Sequence, residues 1–171
     1  MALKKFFLNI RTKKSLLHNK TERLSTPFQQ VKSVGILFTS DGDDKLNRVR
    51  AFGQQLEALG KSVSILEFMP KIKKNTVFSG LPWFCMKDIS LWGIIRNAEE
   101  ENFVKAGFDY LFLADSEPNI VLLNVLARSK ARCRVGQSGS GRTAFLDLMI
   151  QPAATSHDLL TEMLNYTQKL S

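Results

Sequence analysis

The 171 residues are 44% hydrophobic and 23% charged, the composition of an ordinary globular domain. A chain of this length can bury a core without disulfide or metal staples, and no apolar run is long enough for a membrane-spanning helix. The first ten residues lack the long apolar core of a secretion signal, and Cys85 and Cys133 indicate no disulfide framework. These observations argue against a membrane-spanning, a secreted or a disulfide-rich protein. They predict a single cytoplasmic domain with reduced thiols.

The net charge of +8 is concentrated at the N-terminus. Residues 1–24 carry seven basic residues against Glu22, a net charge of +6, while the rest of the chain carries +2. Apolar residues in this segment recur at a spacing of three or four, typical of a helix: Leu3, Phe6, Phe7, Ile10 and Leu17. We therefore expect a basic, moderately amphipathic helix over 1–24, a short linker over 25–30 and a single domain over 31–171.

Further along, short apolar runs typical of buried strands alternate with amphipathic helical segments. Strands are predicted at 34–38, 62–68, 110–114, 132–135 and 146–150. Helices are predicted from Asp43 or Asp44 to Leu59, over 97–106, from Pro118 to about Ser129, and at the C-terminus with a cap at Thr155, Ser156 or Asp158. Residues 70–95 are irregular but rich in aromatics, so we expect short extended pieces over one edge or end of the sheet. The pattern predicts an α/β fold with a doubly wound, mainly parallel five-stranded sheet, flavodoxin-like or Rossmann-like.

In such sheets ligands bind at the carboxyl ends of the strands, beside the point where the strand order reverses. The candidate residues there follow two predicted strands: Ser40 and Asp41 after one, and Asp115 and Ser116 after the other. Carboxylates at these positions would repel bare phosphate, but they can accept hydrogen bonds from ribose hydroxyls or hold a hard cation. In the competing structural interpretation, Asp41 and Asp43 cap a helix and Glu117 favours a helix N-terminus electrostatically.

A glycine-rich segment follows the fourth predicted strand. It supplies four further candidate ligand-binding residues: Gly136, Gly139, Gly141 and Arg142. The spacing resembles a P-loop with arginine where lysine belongs, but a P-loop needs a helix whose N-terminus points at the phosphates. Because 145–150 has the pattern of a strand, a plain turn is the competing structural interpretation. The functional alternative is a weaker phosphate-binding loop with charge from Arg134 and Arg142.

Catalytic and metal chemistry have little support in the pattern. His18 and His157 lie in separate helices without partners at ligand spacing, and neither cysteine has the surroundings of a nucleophile. We predict no catalytic residue and no metal ligand, lean against an enzyme, and leave the cofactor and the oligomeric state open.

The basic helix allows three interpretations. It can lie on an anionic membrane with its phenylalanines inserted, it can bind RNA or DNA phosphates together with Lys71, Lys73 and Lys74, or it can fold back on the domain with its other face solvated. The paired phenylalanines favour a membrane over nucleic acid. The candidate surface-binding residues are Lys4, Lys5, Arg11, Lys13 and Lys14.

Four segments of the chain carry a resemblance to a known family: 88–93, 108–113, 131–136 and 147–150. They resemble an uncharacterised family of short bacterial proteins, a domain of unknown function, and the likeness spans most of 4–170. The resemblance implies a Rossmann-like domain and no known activity.

The stretch 108–136 also resembles part of the N-terminal half of heptosyltransferase-like glycosyltransferases. The matching positions are Asp109, Asp115, Val135 and Gly136. Those enzymes bind a sugar nucleotide with a second Rossmann domain, for which this chain has no room, so the resemblance implies the fold and argues against independent catalysis.

We therefore expect a non-catalytic or accessory domain, cytoplasmic or peripheral to the membrane, that binds an anionic surface or a protein partner through residues 1–24. The alternatives are a small-ligand or phosphate-binding enzyme of glycosyltransferase-like or nucleotide-binding type, and an RNA-associated protein.

Overall fold

The computed structural model describes residues 2–72, 78–151 and 159–170. These residues form five α-helices: α1 (Ala2–His18), α2 (Asp43–Ala58), α3 (Ala98–Lys105), α4 (Ile120–Arg128) and α5 (Leu159–Gln168). They also form six strands: β1 (Ser33–Thr39), β2 (Ser62–Met69), β3 (Trp83–Cys85), β4 (Tyr110–Leu113), β5 (Cys133–Gln137) and β6 (Leu148–Ile150).

The six strands form one parallel sheet in the order β3-β2-β1-β4-β5-β6. This is the Rossmann order, in which the chain reverses direction across the sheet between β1 and β4. The predicted α/β class with a parallel sheet is confirmed, but the predicted number of five strands was wrong. The additional strand is β3, whose three residues pair with Glu67–Met69 at the sheet edge. It lies within 70–95, where the pattern predicted only short extended pieces over one edge or end of the sheet.

Both faces of the sheet are covered, as a parallel sheet requires. Side chains alternate along β1, so Ile36 and Phe38 join the core under α2 and α5, whereas Leu37 joins the core under α3 and α4. Leu8 of α1 belongs to this second core.

Helix α1 is shorter than predicted, because the chain leaves it at His18 to follow the C-terminal end of α4. Asn19 Nδ2 donates to the carbonyls of Ala127 and Ser129, both at 2.9 Å. Arg23 donates to the carbonyl of Ser129 at 3.2 Å. These side chains satisfy carbonyls that a helix end leaves without partners. The predicted division of the chain at residues 24 and 30 stays a prediction.

Helix α4 begins later than predicted. Its N-cap is Asn119, whose side chain accepts from the amides of Val121 and Leu122. Pro118 therefore precedes the cap instead of occupying the first turn. Several predicted features lie outside the described residues: the caps Thr155, Ser156 and Asp158, together with His157, Lys73 and Lys74.

Candidate functional site

A polar cleft of about 380 Å³ lies where the strand order reverses, at the carboxyl ends of β1 and β4. Four of the eight predicted ligand-binding residues line it together: Ser40, Asp41, Asp115 and Ser116. Lys45, Glu117 and Asn119 complete its polar wall. Adjacent parallel strands bring their following loops to one edge of the sheet, which is why residues 75 positions apart in the chain meet here.

Asp115, which follows β4, contacts both β1 and α2 at this cleft. Its nearly buried carboxylate accepts a hydrogen bond from the amide of Thr39 at 3.1 Å and pairs with Lys45 Nζ at 2.5 Å. Asn119 Nδ2 donates to Thr39 Oγ1 at 3.1 Å, so α4 is also held to the end of β1. The arrangement joins β1, α2 and α4, and Lys45 neutralises the buried charge.

The structural interpretation in which Asp41 and Asp43 cap α2 was wrong. The N-cap is Gly42, at φ +99°, and no side chain makes a capping hydrogen bond there. Asp43 and Asp44 lie in the first helical turn, where negative charge interacts favourably with the helix dipole. Asp41 is exposed at the rim of the cleft.

The glycine-rich segment does not line the cleft, and its described residues 138–147 contain turns instead of a helix. A Cβ on Gly136 would lie 2.9 Å from Leu146 Cδ2, so that glycine is required by core packing. The Arg142 side chain lies over Gly139 and donates to the carbonyl of Gln137 at 3.5 Å. A role of Gly136, Gly139, Gly141 and Arg142 in ligand binding stays a prediction.

Arg134 was a possible source of charge for a phosphate. Its side chain is buried and donates two hydrogen bonds to Asp147, from Nε at 2.8 Å and from Nη2 at 2.9 Å. Its charge is therefore already neutralised. Beside it, burial raises the pKa of the Cys133 thiol to about 11, which keeps this cysteine protonated and unreactive at neutral pH. Within the described ranges, no group of three His, Cys, Asp or Glu residues is placed to hold a metal ion.

Helix α1 has two apolar faces, and only one of them is covered. Leu8 and Thr12 are buried against the domain. On the opposite side lies a row of exposed apolar side chains: Leu3 (51% exposed), Phe6 (59%), Ile10 (48%) and Leu17 (83%). At 3.6 residues per turn these four fall within about 60° of arc, and the exposed Lys13 and Lys14 border the row on either side.

The loop after β3 extends this apolar surface beyond the helix. Leu91 and Trp92 are 50% and 60% exposed, and the Trp92 ring packs edge-on against Phe7 with the centroids 5.1 Å apart. We call the set Leu3, Phe6, Ile10, Leu17, Leu91 and Trp92 the outward face. The sequence did not predict that the loop joins it. Trp83 lies elsewhere, on the edge strand, where it is half-buried and stacks on Phe78.

The predicted surface-binding cations separate into two groups. Lys4 Nζ donates to the carbonyl of Ile89 at 2.7 Å, and Arg11 Nε donates to the carbonyl of Trp92 at the same distance. These two side chains hold the loop against α1. The other three are exposed. Lys13 and Lys14 border the apolar row of the outward face, whereas Lys5 lies on the flank of α1 next to the buried Thr12.

Residues 4–170 match the model of a family described as a family of unknown function, DUF6913. The chain belongs to this family. The resemblance to an uncharacterised domain of unknown function is confirmed, whereas the local resemblance to glycosyltransferases stays a prediction. No curated protein and no solved structure gives a significant match.

In this DUF6913 chain, Gly93 and the hydrogen bonds of Thr12 fix the position of α1 on the domain. Gly93 has φ +70°, and a Cβ on it would lie 2.5 Å from the backbone nitrogen of Leu8. Thr12 Oγ1 donates to the Leu8 carbonyl at 2.7 Å and accepts from Asn124 Nδ2 at 2.9 Å. These contacts turn Leu8 inwards and leave the opposite side of α1 exposed.

Behind this contact lies a buried ion pair. Arg128 Nη1 donates to Asn124 Oδ1 at 3.5 Å and to Glu100 Oε1 at 2.7 Å. Glu100 is fully buried, and its Oε2 has no hydrogen-bond partner among the described residues. Burial raises the pKa of Glu100 to about 7, although Arg128 acts in the opposite direction.

Proposed function

We propose that this chain is a peripheral membrane-binding domain whose outward face inserts into the surface of an anionic bilayer. The observation that carries the proposal is the exposed apolar row of α1, bordered by lysines, on a helix whose opposite side is packed against the domain. Among the described residues, no helix is long and apolar enough to span a membrane. The proposed contact is therefore one in the plane of the interface.

The chemistry of the outward face matches the two layers of a membrane surface. Apolar side chains such as Phe6 and Ile10 gain roughly 25 cal/mol for each Å² of apolar surface removed from water. Each lysine near an anionic leaflet adds about 1 kcal/mol. Trp92 has an apolar ring with a polar N–H, a combination favoured at the membrane interface.

Other occupants fit less well. A second copy pairing through the same face would bring together two N-terminal segments that each carry +6. RNA would be attracted by the lysines, but phosphate contacts give no role to an apolar row. An anionic bilayer can contact both the lysines and the apolar row.

Because α1 is already folded and packed on the domain, membrane binding also costs less conformational entropy. An unstructured amphipathic segment must fold as it binds, which subtracts from its affinity. Here α1 is held in place by Leu8, Thr12 and the Gly93 contact before it meets a membrane.

Co-sedimentation with vesicles tests the proposal. Wild-type protein is expected to bind phosphatidylcholine vesicles that contain phosphatidylserine and to bind pure phosphatidylcholine much more weakly. The double variant Phe6→Ser with Ile10→Ser is expected to bind the anionic vesicles at least about tenfold more weakly, because it loses apolar surface at the centre of the face.

The matched control is Leu59→Ser with Tyr166→Ser, which removes two exposed side chains from α5 and the end of α2. It is expected to bind like wild type. Equal binding by the Phe6/Ile10 variant and the control would contradict the proposal. Binding to RNA that is unaffected by the Phe6/Ile10 change and falls steeply with salt would favour the nucleic-acid alternative instead.

A further inference from the structure

A small cavity of about 250 Å³ lies between α1, α4 and residues 93–95, next to Trp92 of the outward face. Among the described residues, its polar wall consists of Arg11, Ser15, Asn124 and Arg128, and none of these carries a carboxylate. Two guanidinium groups thus border one cavity; Arg128 is also paired with the buried Glu100 at 2.7 Å, whereas Arg11 forms no ion pair among the described residues.

Many of the hydrogen-bond donors in this wall have no partner among residues 2–72, 78–151 and 159–170. Arg11 makes one hydrogen bond within the part of the chain that the structure describes, from Nε to the Trp92 carbonyl, so its two terminal nitrogens are free. Arg128 makes its hydrogen bonds there through Nη1, which leaves Nε and Nη2 free. The Ser15 hydroxyl donates to no described residue.

We infer that this arginine pocket binds a phosphate monoester group. Free guanidinium nitrogens in a fixed fork match the oxygens of phosphate and form strong, charge-assisted hydrogen bonds. The cavity is smaller than the roughly 300–1,000 Å³ of typical small-molecule sites, which suits one phosphate group better than a nucleotide. The group can come from free phosphate or from the headgroup of phosphatidic acid; the lipid source rests on the proposed function.

Titration with inorganic phosphate tests the pocket without any membrane. Backbone amide shifts of Gly93, Ile94 and Ile95, followed by NMR, are expected to change saturably with phosphate. Arg11→Gln is expected to weaken the affinity by roughly tenfold, since a hydrogen bond to a charged group is lost. Arg128 is left in place because it pairs with the buried Glu100.

The matched control is Arg48→Gln, an exposed arginine on α2 that pairs with Asp44. It removes the same charge and is expected to leave the phosphate affinity unchanged. Shifts that never saturate, or equal affinities for Arg11→Gln and wild type, would overturn the inference.

Vesicles of matched surface charge separate the two sources of phosphate. If the lipid is the source, wild type prefers phosphatidic acid over phosphatidylserine, and Arg11→Gln binds the two kinds of vesicle equally. Saturable phosphate binding without any vesicle binding would uphold the pocket and refute the proposed membrane function. Vesicle binding with no effect of Arg11→Gln in either assay would refute the pocket alone.

Discussion

Gly93→Ala is expected to destabilise the protein by about 3 kcal/mol and to loosen α1 from the domain. Two costs combine in this variant. A non-glycine residue at positive φ costs about 1 kcal/mol or slightly more. The new methyl group would also lie 2.5 Å from the nitrogen and 2.7 Å from the Cα of Leu8. Because both are backbone atoms, the helix itself must move, and overpacking of this kind costs about 1–3 kcal/mol.

Gly60→Ala is the matched control, because Gly60 has φ +77° and no atom of the described residues lies within 4 Å of the position of its Cβ. It is expected to cost about 1 kcal/mol, the penalty of the backbone conformation alone. Urea unfolding of both variants measures the difference. Hydrogen exchange of the α1 amides is expected to accelerate in Gly93→Ala and not in Gly60→Ala. Equal losses of stability in the two variants would show that α1 is not held by this contact.

The contribution of Glu100 to the stability of the protein is expected to fall by up to about 3 kcal/mol between pH 4.5 and pH 7. Burial raises the pKa of this group in the folded state from 4.5 to about 7. Over that interval the folded chain holds a proton that the unfolded chain has released, so the added stability is complete below pH 4.5 and is lost as the pH rises through 7. Above pH 7 both states are ionised at this position, and its contribution becomes constant.

Glu100→Gln is expected to remove this part of the pH dependence, because the amide has a similar shape and does not titrate. Glu101→Gln is the control: Glu101 is exposed and pairs with Lys105, so the variant is expected to keep most of the wild-type pH profile. Denaturation measured at several pH values compares the three proteins. A Glu100→Gln profile as steep as that of wild type would show that another group titrates.

Much of the sheet could be predicted because its central strands are continuous apolar runs. Residues 34–38 and 110–113 are buried on both faces, so composition alone marks them as strands. Trp83–Cys85 could not be found in this way, since its three residues pair with one neighbour at the sheet edge. Its strand character comes from that pairing, and the pattern over 70–95 predicted only short extended pieces at an edge or end of the sheet.

The sites were predictable to different degrees. Asp41 and Asp115 could be placed at one cleft because parallel topology brings strand ends together. The arginine pocket could not be predicted, since Arg11 and Arg128 are brought together by the packing of α1 on α4. The roles of Lys4 and Arg11 were equally hidden, because their acceptors are backbone carbonyls more than 80 residues away.

The fluorescence of Trp92 tests the central claim most directly. The chain has two tryptophans, and Trp83→Phe leaves Trp92 as the single reporter while it keeps an aromatic ring against Phe78. On addition of phosphatidylserine-containing vesicles, we expect the emission of Trp92 to shift to shorter wavelength and to be quenched by brominated acyl chains. An unchanged emission while the protein co-sediments with the vesicles would show that the outward face is not the surface that meets the membrane.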